Sequence, residues 1–358
     1  MWPSRRLLDL LRIEYPIIQA PMAGNQDGDL VAAVSQAGGL GSLPCAMLNA
    51  EKLREEVGKI RARTKKPIAL NFFCHVAPVP NNAAQAAWRE KLAPYYRELG
   101  IDPAAPAPFT NRAPFDEALL EAVLDTRPEA VSFHFGLPPK PLYDRLKREG
   151  FLVLSSATTV AEARWLAERG VDAVIAQGFE AGGHRGMFLT EDVSAQVGTL
   201  ALVPQVRDAV SVPVIAAGGI ADARGIAAAF ALGADGVQIG SAYLRTPEAK
   251  ISTPHRAALG TARDDGTVLT NVITGRPARG FINRIIREQG PISDATPQFP
   301  LAAAAVQPLR AKAEAQGSGD FSPLWSGQAV ALGRELGAGE LTQRLAAEAL
   351  DHLRRLAG

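Results

Sequence analysis

Short apolar runs alternate with amphipathic stretches along the first 245 residues. The runs are Ile17–Ala20, Leu40–Leu43, Ile68–Phe72, Ala130–Phe133, Phe151–Ser155, Ala173–Gln177, Val214–Ala217 and Gly236–Ile239. Each is too short for a helix and nearly unbroken in apolar character, as expected of strands covered on both faces. Between them, Asp29–Ala37, Glu51–Thr64, Phe115–Leu124, Pro141–Arg148, Val160–Arg169, Leu202–Ala209 and Ala223–Leu232 carry the helical period. Gly38-Gly39, Gly170 and Gly233 stand where helices stop. Eight strands with intervening helices predict a closed parallel (β/α)8 barrel. A doubly wound sheet would need fewer units or a reversal of strand order.

Two stretches break the period. Residues 76–114, rich in proline, alanine and aromatics, are too long for a simple barrel connection. They predict an insertion with one helix around Trp88 and Tyr95-Tyr96. Residues 241–358 exceed what the last strand needs. Gly275–Gly280 reads as a turn-rich start to an amphipathic helix, and Ala302–Gln316, Ala329–Leu336 and Gly339–Leu356 read as further helices. The expected division is a barrel of 1–75 and 115–245, a smaller, mainly helical substrate region of 76–114 and 246–328 over its mouth, and C-terminal helices 329–358 packed on the barrel.

Bulk properties narrow the function. A net charge of +1 and the lack of a sustained basic patch argue against nucleic acid and membrane surfaces as partners. Two cysteines, Cys45 and Cys74, make neither a disulfide framework nor a four-ligand zinc site. No targeting segment or run of spanning length is evident, so a cytoplasmic protein is expected.

The polar and glycine-rich clusters fall just after strands, at the end where barrels carry their chemistry. Gly218-Gly219 and Gly240-Ser241 follow the last two strands. A phosphate there would meet free backbone N–H groups, a hydroxyl and the start of a helix. Gln19–Gly24 closes the first strand, and the backbone of Ala20 and Met22 could lie against a flat ring. Asn71, Gln177 and Gln238 are isolated amides within apolar runs. Leaving such a group unpaired costs ~1–3 kcal/mol, so a hydrogen-bonding heterocycle is a fitting partner. His184 stands among Gly182, Gly183 and Gly186 after the sixth strand, and His134 ends the fourth. Imidazole suits proton transfer near neutral pH, and the glycine surroundings of His184 favour chemistry over burial. A metal set of the two histidines and Glu180 is the weaker alternative, and no metal site is expected. His75, His255 and His352 read as surface or packing residues.

Four segments resemble the nitronate monooxygenase family of the bacterial class I type: Gln19–Gly24, Ser132–Gly136, Gly178–Gly186 and Ala217–Asp222. Leu324–Gln328 is similar as well, and the likeness spans roughly residues 14–335. It implies a flavin barrel that holds FMN without covalent attachment and oxidises alkyl nitronates with O₂ to a carbonyl compound and nitrite. It implies His184 as the catalytic residue and His134 as a pocket residue. It implies FMN held at Met22, Asn71, Gln177, Gly182, Gly218, Gly219, Gln238, Gly240 and Ser241, to which the reading of the turn itself adds Ala20. Some members carry tyrosines near the pocket where this chain has Phe299, which makes that wall less polar and argues against a charged nitronate such as propionate 3-nitronate. The implied partners are a small nitronate and O₂, in a monomer or homodimer. An FMN-dependent NAD(P)H reductase of enoyl thioesters or quinones, on the same barrel, is the enzyme alternative.

Overall fold

The computed structural model describes residues 1–79, 81–105, 112–356 and 358. In chain order its strands are β1 (Ile17–Gln19), β2 (Gly41–Pro44), β3 (Ile68–Phe73), β4 (Ala130–His134), β5 (Leu152–Ala157), β6 (Ala173–Gln177), β7 (Gly183–His184), β8 (Val214–Ala217), β9 (Gly236–Ile239), β10 (Thr267–Thr270) and β11 (Ala278–Phe281). Eight of them form one parallel sheet in the order β1-β9-β8-β6-β5-β4-β3-β2. A parallel bridge between Ile18 and Leu40 closes it, with Leu40 N bonding Ile17 O and Gln19 N bonding Leu40 O. The fold is a (β/α)8 barrel.

The helices form for visible local reasons. Asp27, Asn49, Asp116, Thr159 and Asp222 each turn a side-chain oxygen onto the first free N–H groups of the helix that follows. The inward faces of these helices and both faces of the strands merge into one large apolar core. The long C-terminal helix, Ala338–Leu356, joins that core through Leu341, Leu345 and Ala349.

A second, smaller core lies outside the barrel. The insertion helix Asn82–Glu98 brings Trp88, Leu92 and Tyr96 against Val306 and Leu309 of the helix Ala302–Ala315, with Ile285 and Phe321 between. The Tyr96 hydroxyl donates to Ala305 O at 2.6 Å. This part is not purely helical. Residues 278–281, expected to begin a helix, form β11, which lies antiparallel between β10 and β7. The reason is tertiary: Ala278 and Arg279 pair with His184 and Gly183, and the helix starts only at Arg284, where Asn283 caps it. Ala329–Leu336 likewise reduces to one short turn, Val330–Leu332. Among the described residues no helix is long and apolar enough to cross a membrane.

Candidate active site

A cleft of about 1360 Å³, part of it open to solvent, lies at the C-terminal ends of the barrel strands. Its walls bring together nearly every residue singled out above. The turn after β1 contributes Ala20 and Met22, β3 Asn71, β4 His134, β6 Gln177 and β9 Gln238. Gly182, His184, Gly218, Gly219, Gly240 and Ser241 line it as well. Phe299 does not line it. That ring is buried behind the wall, packed 5.3 Å from the His184 ring.

At one end the cleft is made of backbone. Gly218 and Gly219 hold φ of +110° and +70°, a region that other residues enter only with strain. A Cβ at Gly182 would sit 2.5 Å from Gly327 N, because the chain at Ser326-Gly327 returns across the glycine loop. Gly327 N donates to Ser241 Oγ at 2.8 Å, and Gln328 N to Glu180 O at 3.0 Å. The helix Ala223–Ala231 starts nearby, but Asp222 already accepts from its first N–H groups at 2.9 and 3.3 Å. Its positive end is thus partly neutralised. A cradle that any side chain would fill, with a hydroxyl at its edge, suits a phosphate group.

The Ala20–Gly24 turn is braced by two buried amides. Gln26 Oε1 accepts from Met22 N at 3.0 Å and from Gln19 Nε2 at 2.7 Å, while Gln19 Oε1 accepts from Ser42 N at 3.1 Å. Sequence reasoning passed over Gln26, whose one signal was a second amide close after the turn. Asn71 donates to Ser132 Oγ at 2.9 Å. Gln177 spends both ends of its amide on the neighbouring loop: Nε2 donates to His184 O at 3.0 Å, and Oε1 accepts from Gly186 N at 2.7 Å.

His184 is positioned from three sides. Its backbone lies in β7, paired with Ala278 of β11. Its carbonyl accepts from Gln177 and from His134 Nε2 at 3.1 Å. A carbonyl can only accept, so His134 Nε2 carries the proton and its Nδ1 accepts from the Ser156 hydroxyl, 2.5 Å away. The His184 ring places Nε2 3.0 Å from Thr274 Oγ1. That hydroxyl can donate to Arg276 O at 3.4 Å. It then accepts from Nε2–H, and Nδ1 is left as the basic nitrogen.

Both imidazoles are neutral at pH 7. Burial pushes His134 down to about 3, against the opposing pull of the His184 carbonyl. Burial, then Arg112, then His134, Arg276 and His75 hold His184 well below its usual value. A protonated His184 beside the ring site is therefore not its resting state. The adjacent Arg185 does not supply a charge to the cleft either. It is fully buried and turned away, donating to Gly178 O at 2.6 Å, Gln177 O at 2.7 Å and Gln196 Oε1 at 2.9 Å. Glu180 also points elsewhere, accepting from Thr199 N and Thr199 Oγ1, both at 2.8 Å. His184 has no carboxylate partner among these groups.

Other residues complete the site without having been foreseen. Trp325 lines the cleft, its ring 5.6 Å from His184. Arg276 lies 4.1 Å over the Phe135 ring. His75 is buried, 4.8 Å from Phe299, a packing residue rather than a surface one. His255 is buried too, with Nε2 3.1 Å from Trp325 O. Cys45 and Cys74 are both free, and burial raises both thiols. Among the described residues no three His, Cys, Asp or Glu side chains cluster as a metal set.

A family model described as nitronate monooxygenase matches residues 4–348. A nitronate monooxygenase of Pseudomonas aeruginosa is 44% identical over 347 residues, covering 96% of this chain and 98% of that one. One from Paraburkholderia phytofirmans is 41% identical over 359 residues, covering 99% and 98%. Among solved structures, a nitroalkane oxidase from Streptomyces ansochromogenes superposes with a TM-score of 0.89 at 40% identity, covering 99% of this chain and 100% of that one. A FabK from Thermotoga maritima superposes at 0.73 with 27% identity, covering 100% and 99%.

Proposed function

This chain belongs to the nitronate monooxygenase family, and we propose that it holds FMN noncovalently and oxidises alkyl nitronates with O₂ to a carbonyl compound and nitrite. One observation carries the reading: a neutral, precisely held imidazole, His184, shares a cleft with a backbone cradle fit for a phosphate. FMN, when bound, supplies the electron acceptor. The glycine rim with Ser241 would receive its phosphate, while the Ala20–Met22 turn, Asn71 and Gln238 would meet its ring system.

The chain's own residues set which substrate form enters. A nitronate is an anion that has already lost its carbon proton. Arg276 near the aromatic wall favours an anion in a site where Phe73, Phe135 and Trp325 exclude water. A neutral nitroalkane would first have to give its carbon proton to His184. An imidazole whose basicity is lowered by burial, with no carboxylate to support it, is a modest base toward carbon. Nitronates are therefore used readily and parent nitroalkanes slowly. Once substrate is bound, His184 Nδ1 can hold or release a proton beside the reacting carbon, while Thr274 fixes the other ring nitrogen.

The test is anaerobic mixing of the yellow holoprotein with a nitronate, and separately with NADH or NADPH. Bleaching by the nitronate alone is expected. Bleaching by the nicotinamide alone would move the assignment to a reductase. His184→Asn should keep its flavin and lose about 10²- to 10⁴-fold in kcat/KM for nitronates, the usual range for a positioned acid–base group. A loss under threefold would remove His184 from the chemistry.

A further inference from the structure

Glu162 is fully buried, yet it does not line the cleft. It stands in the first turn of the helix Val160–Glu168, which packs on the outside of β5 and β6. Four donors converge on its two oxygens. Oε2 accepts from Thr158 N at 2.7 Å and from Thr158 Oγ1 at 2.8 Å. Oε1 accepts from Phe188 N at 2.6 Å and from Leu189 N at 3.2 Å. A carboxylate in a first helical turn has an ordinary reason to be there, the positive end of the helix. That reason covers the Thr158 pair, which adjoins the helix. It does not cover Phe188 and Leu189, which lie 26 and 27 residues further on, in the segment that leaves His184.

This segment is held at both ends. At its start Gln177 bonds His184 O and Gly186 N, and Arg276 Nη2 donates to Met187 O. At its far end, among the described residues, Glu162 is the acceptor for Phe188 N and Leu189 N. Between the two ends the chain presses on the pair that supports His184. A Cβ at Gly186 would stand 2.8 Å from His134 Cε1 and 2.9 Å from Ser156 Oγ. Any lift of the segment therefore loosens His134, whose Nε2 donates to His184 O. Glu162 also reaches the segment by a second route. Thr158 Oγ1 accepts from Gln196 Nε2 at 3.0 Å, and Gln196 Oε1 accepts from Arg185 Nε at 2.9 Å, on the residue next to His184. Each Glu162 oxygen accepts a backbone N–H, and an amide has one accepting end, so glutamine cannot serve both sides.

We propose that Glu162 is a positioning residue for the chemistry at His184: from outside the cleft it pins the His184–Leu189 segment and so fixes where the imidazole stands. The role in turnover rests on the nitronate reading; the hold on the segment does not.

The experiment mixes holoprotein anaerobically with ethyl nitronate and separates the limiting rate of flavin bleaching from the nitronate Kd. Glu162→Leu should slow bleaching about 10- to 100-fold, as a displacement on the order of 1 Å relayed to a catalytic group does. Its nitronate Kd should change by less than about threefold, the split expected when alignment and not binding is lost. Glu162→Gln, which keeps one accepting end, should fall between wild type and Glu162→Leu. Hydrogen exchange on the same proteins, without substrate, reads the segment itself. Exchange over residues 185–190 should quicken by about tenfold or more in Glu162→Leu while β3 and β4 keep their protection, as local opening requires. Unchanged bleaching per bound flavin in both variants would overturn the proposal. So would exchange that quickens throughout the protein together, since that is general destabilisation. If Glu162→Leu yields no folded protein, Glu162→Gln decides by the same two measurements. A wild-type flavin that ethyl nitronate does not bleach would defeat the nitronate reading instead, and exchange alone would then decide whether Glu162 holds the segment.

Discussion

The two ends of the cleft are built from opposite materials. The glycine end is backbone: Gly182, Gly218 and Gly219 let chains pass at distances where any Cβ would collide or any ordinary residue would be strained. Its polar groups are largely paired, as Ser241 with Gly327 and Glu180 with Thr199 show. The aromatic end is side chain: Phe73, Phe135, Phe299 and Trp325 surround His184, and among the described residues Arg112 Nη1, Arg276 Nε and His75 Nδ1 find no partner. A cofactor phosphate is the same in every turnover, so a rigid, saturated cradle serves it. A substrate site must release what it binds, and bonds withheld from the protein are available to the substrate. The difference teaches where each part of the function tolerates change.

The largest effect is expected at the backbone end. Gly182→Val places a Cβ 2.5 Å from Gly327 N and 2.6 Å from Ser326 C, atoms that cannot rotate away. The loop Ser326–Gln328 must lift from the cradle. Flavin affinity should fall on the order of 100-fold or more, since a misplaced chain loses several charge-assisted contacts together. Equilibrium dialysis, with released flavin read by fluorescence, measures it. A variant that keeps its flavin through extended dialysis would show that the phosphate lies elsewhere.

The same division explains what the sequence made legible. Barrel strands were readable because each is an apolar run bounded by turn residues, and burial on both faces leaves no other pattern. The glycine end was readable because glycine marks a backbone constraint wherever it stands, whatever its partners. The aromatic end was not. Arg112 and Arg276 lie 164 positions apart around one wall, and neither has a local signal beyond being arginine. β11 was missed for the same reason: Ala278–Phe281 has no strong period of its own, and β7 and β10 determine its state. His75 was dismissed because its neighbours in sequence are unremarkable, while its neighbours in space are Phe299 and Phe135.

Gln177 sits where the two ends meet, and it sharpens the comparison. Its amide was expected to bond a heterocycle. It instead ties His184 O and Gly186 N to β6. Gln177→Leu leaves Gly186 N without its acceptor and removes one of two donors to His184 O. The stability loss should be about 3 kcal/mol, read as a lower urea midpoint at unchanged slope. Turnover should fall more than substrate affinity, because His184 loses its alignment while the other walls of the cleft remain. A variant with normal stability and a pure KM defect would return Gln177 to the role of a direct ligand contact.

The smallest effect concerns a histidine just outside the cleft and depends on pH alone. Burial holds His255 down to about 4; the Trp325 carbonyl and Glu314 oppose this, and Arg310 and Arg256 add to it. In the unfolded chain the same imidazole titrates near ~6.5. Between these values the unfolded state binds a proton that the folded state refuses, so stability is full above pH 6.5 and drains away as pH falls toward 4. His255 should cost about 2 kcal/mol at pH 5 and almost nothing at pH 7. His134, His75 and His184 carry shifts of the same sign, so the wild-type decline is the sum of several such terms. His255→Gln keeps a donor for Trp325 O and cannot take up a proton. Its melting temperature should therefore fall less steeply than wild type between pH 6.5 and 4.5, while the two agree more nearly at pH 7. Parallel curves would mean that His255 is protonated as easily in the folded protein as in the unfolded one. The packing of Trp325 over His184 would then be looser than its buried contacts indicate.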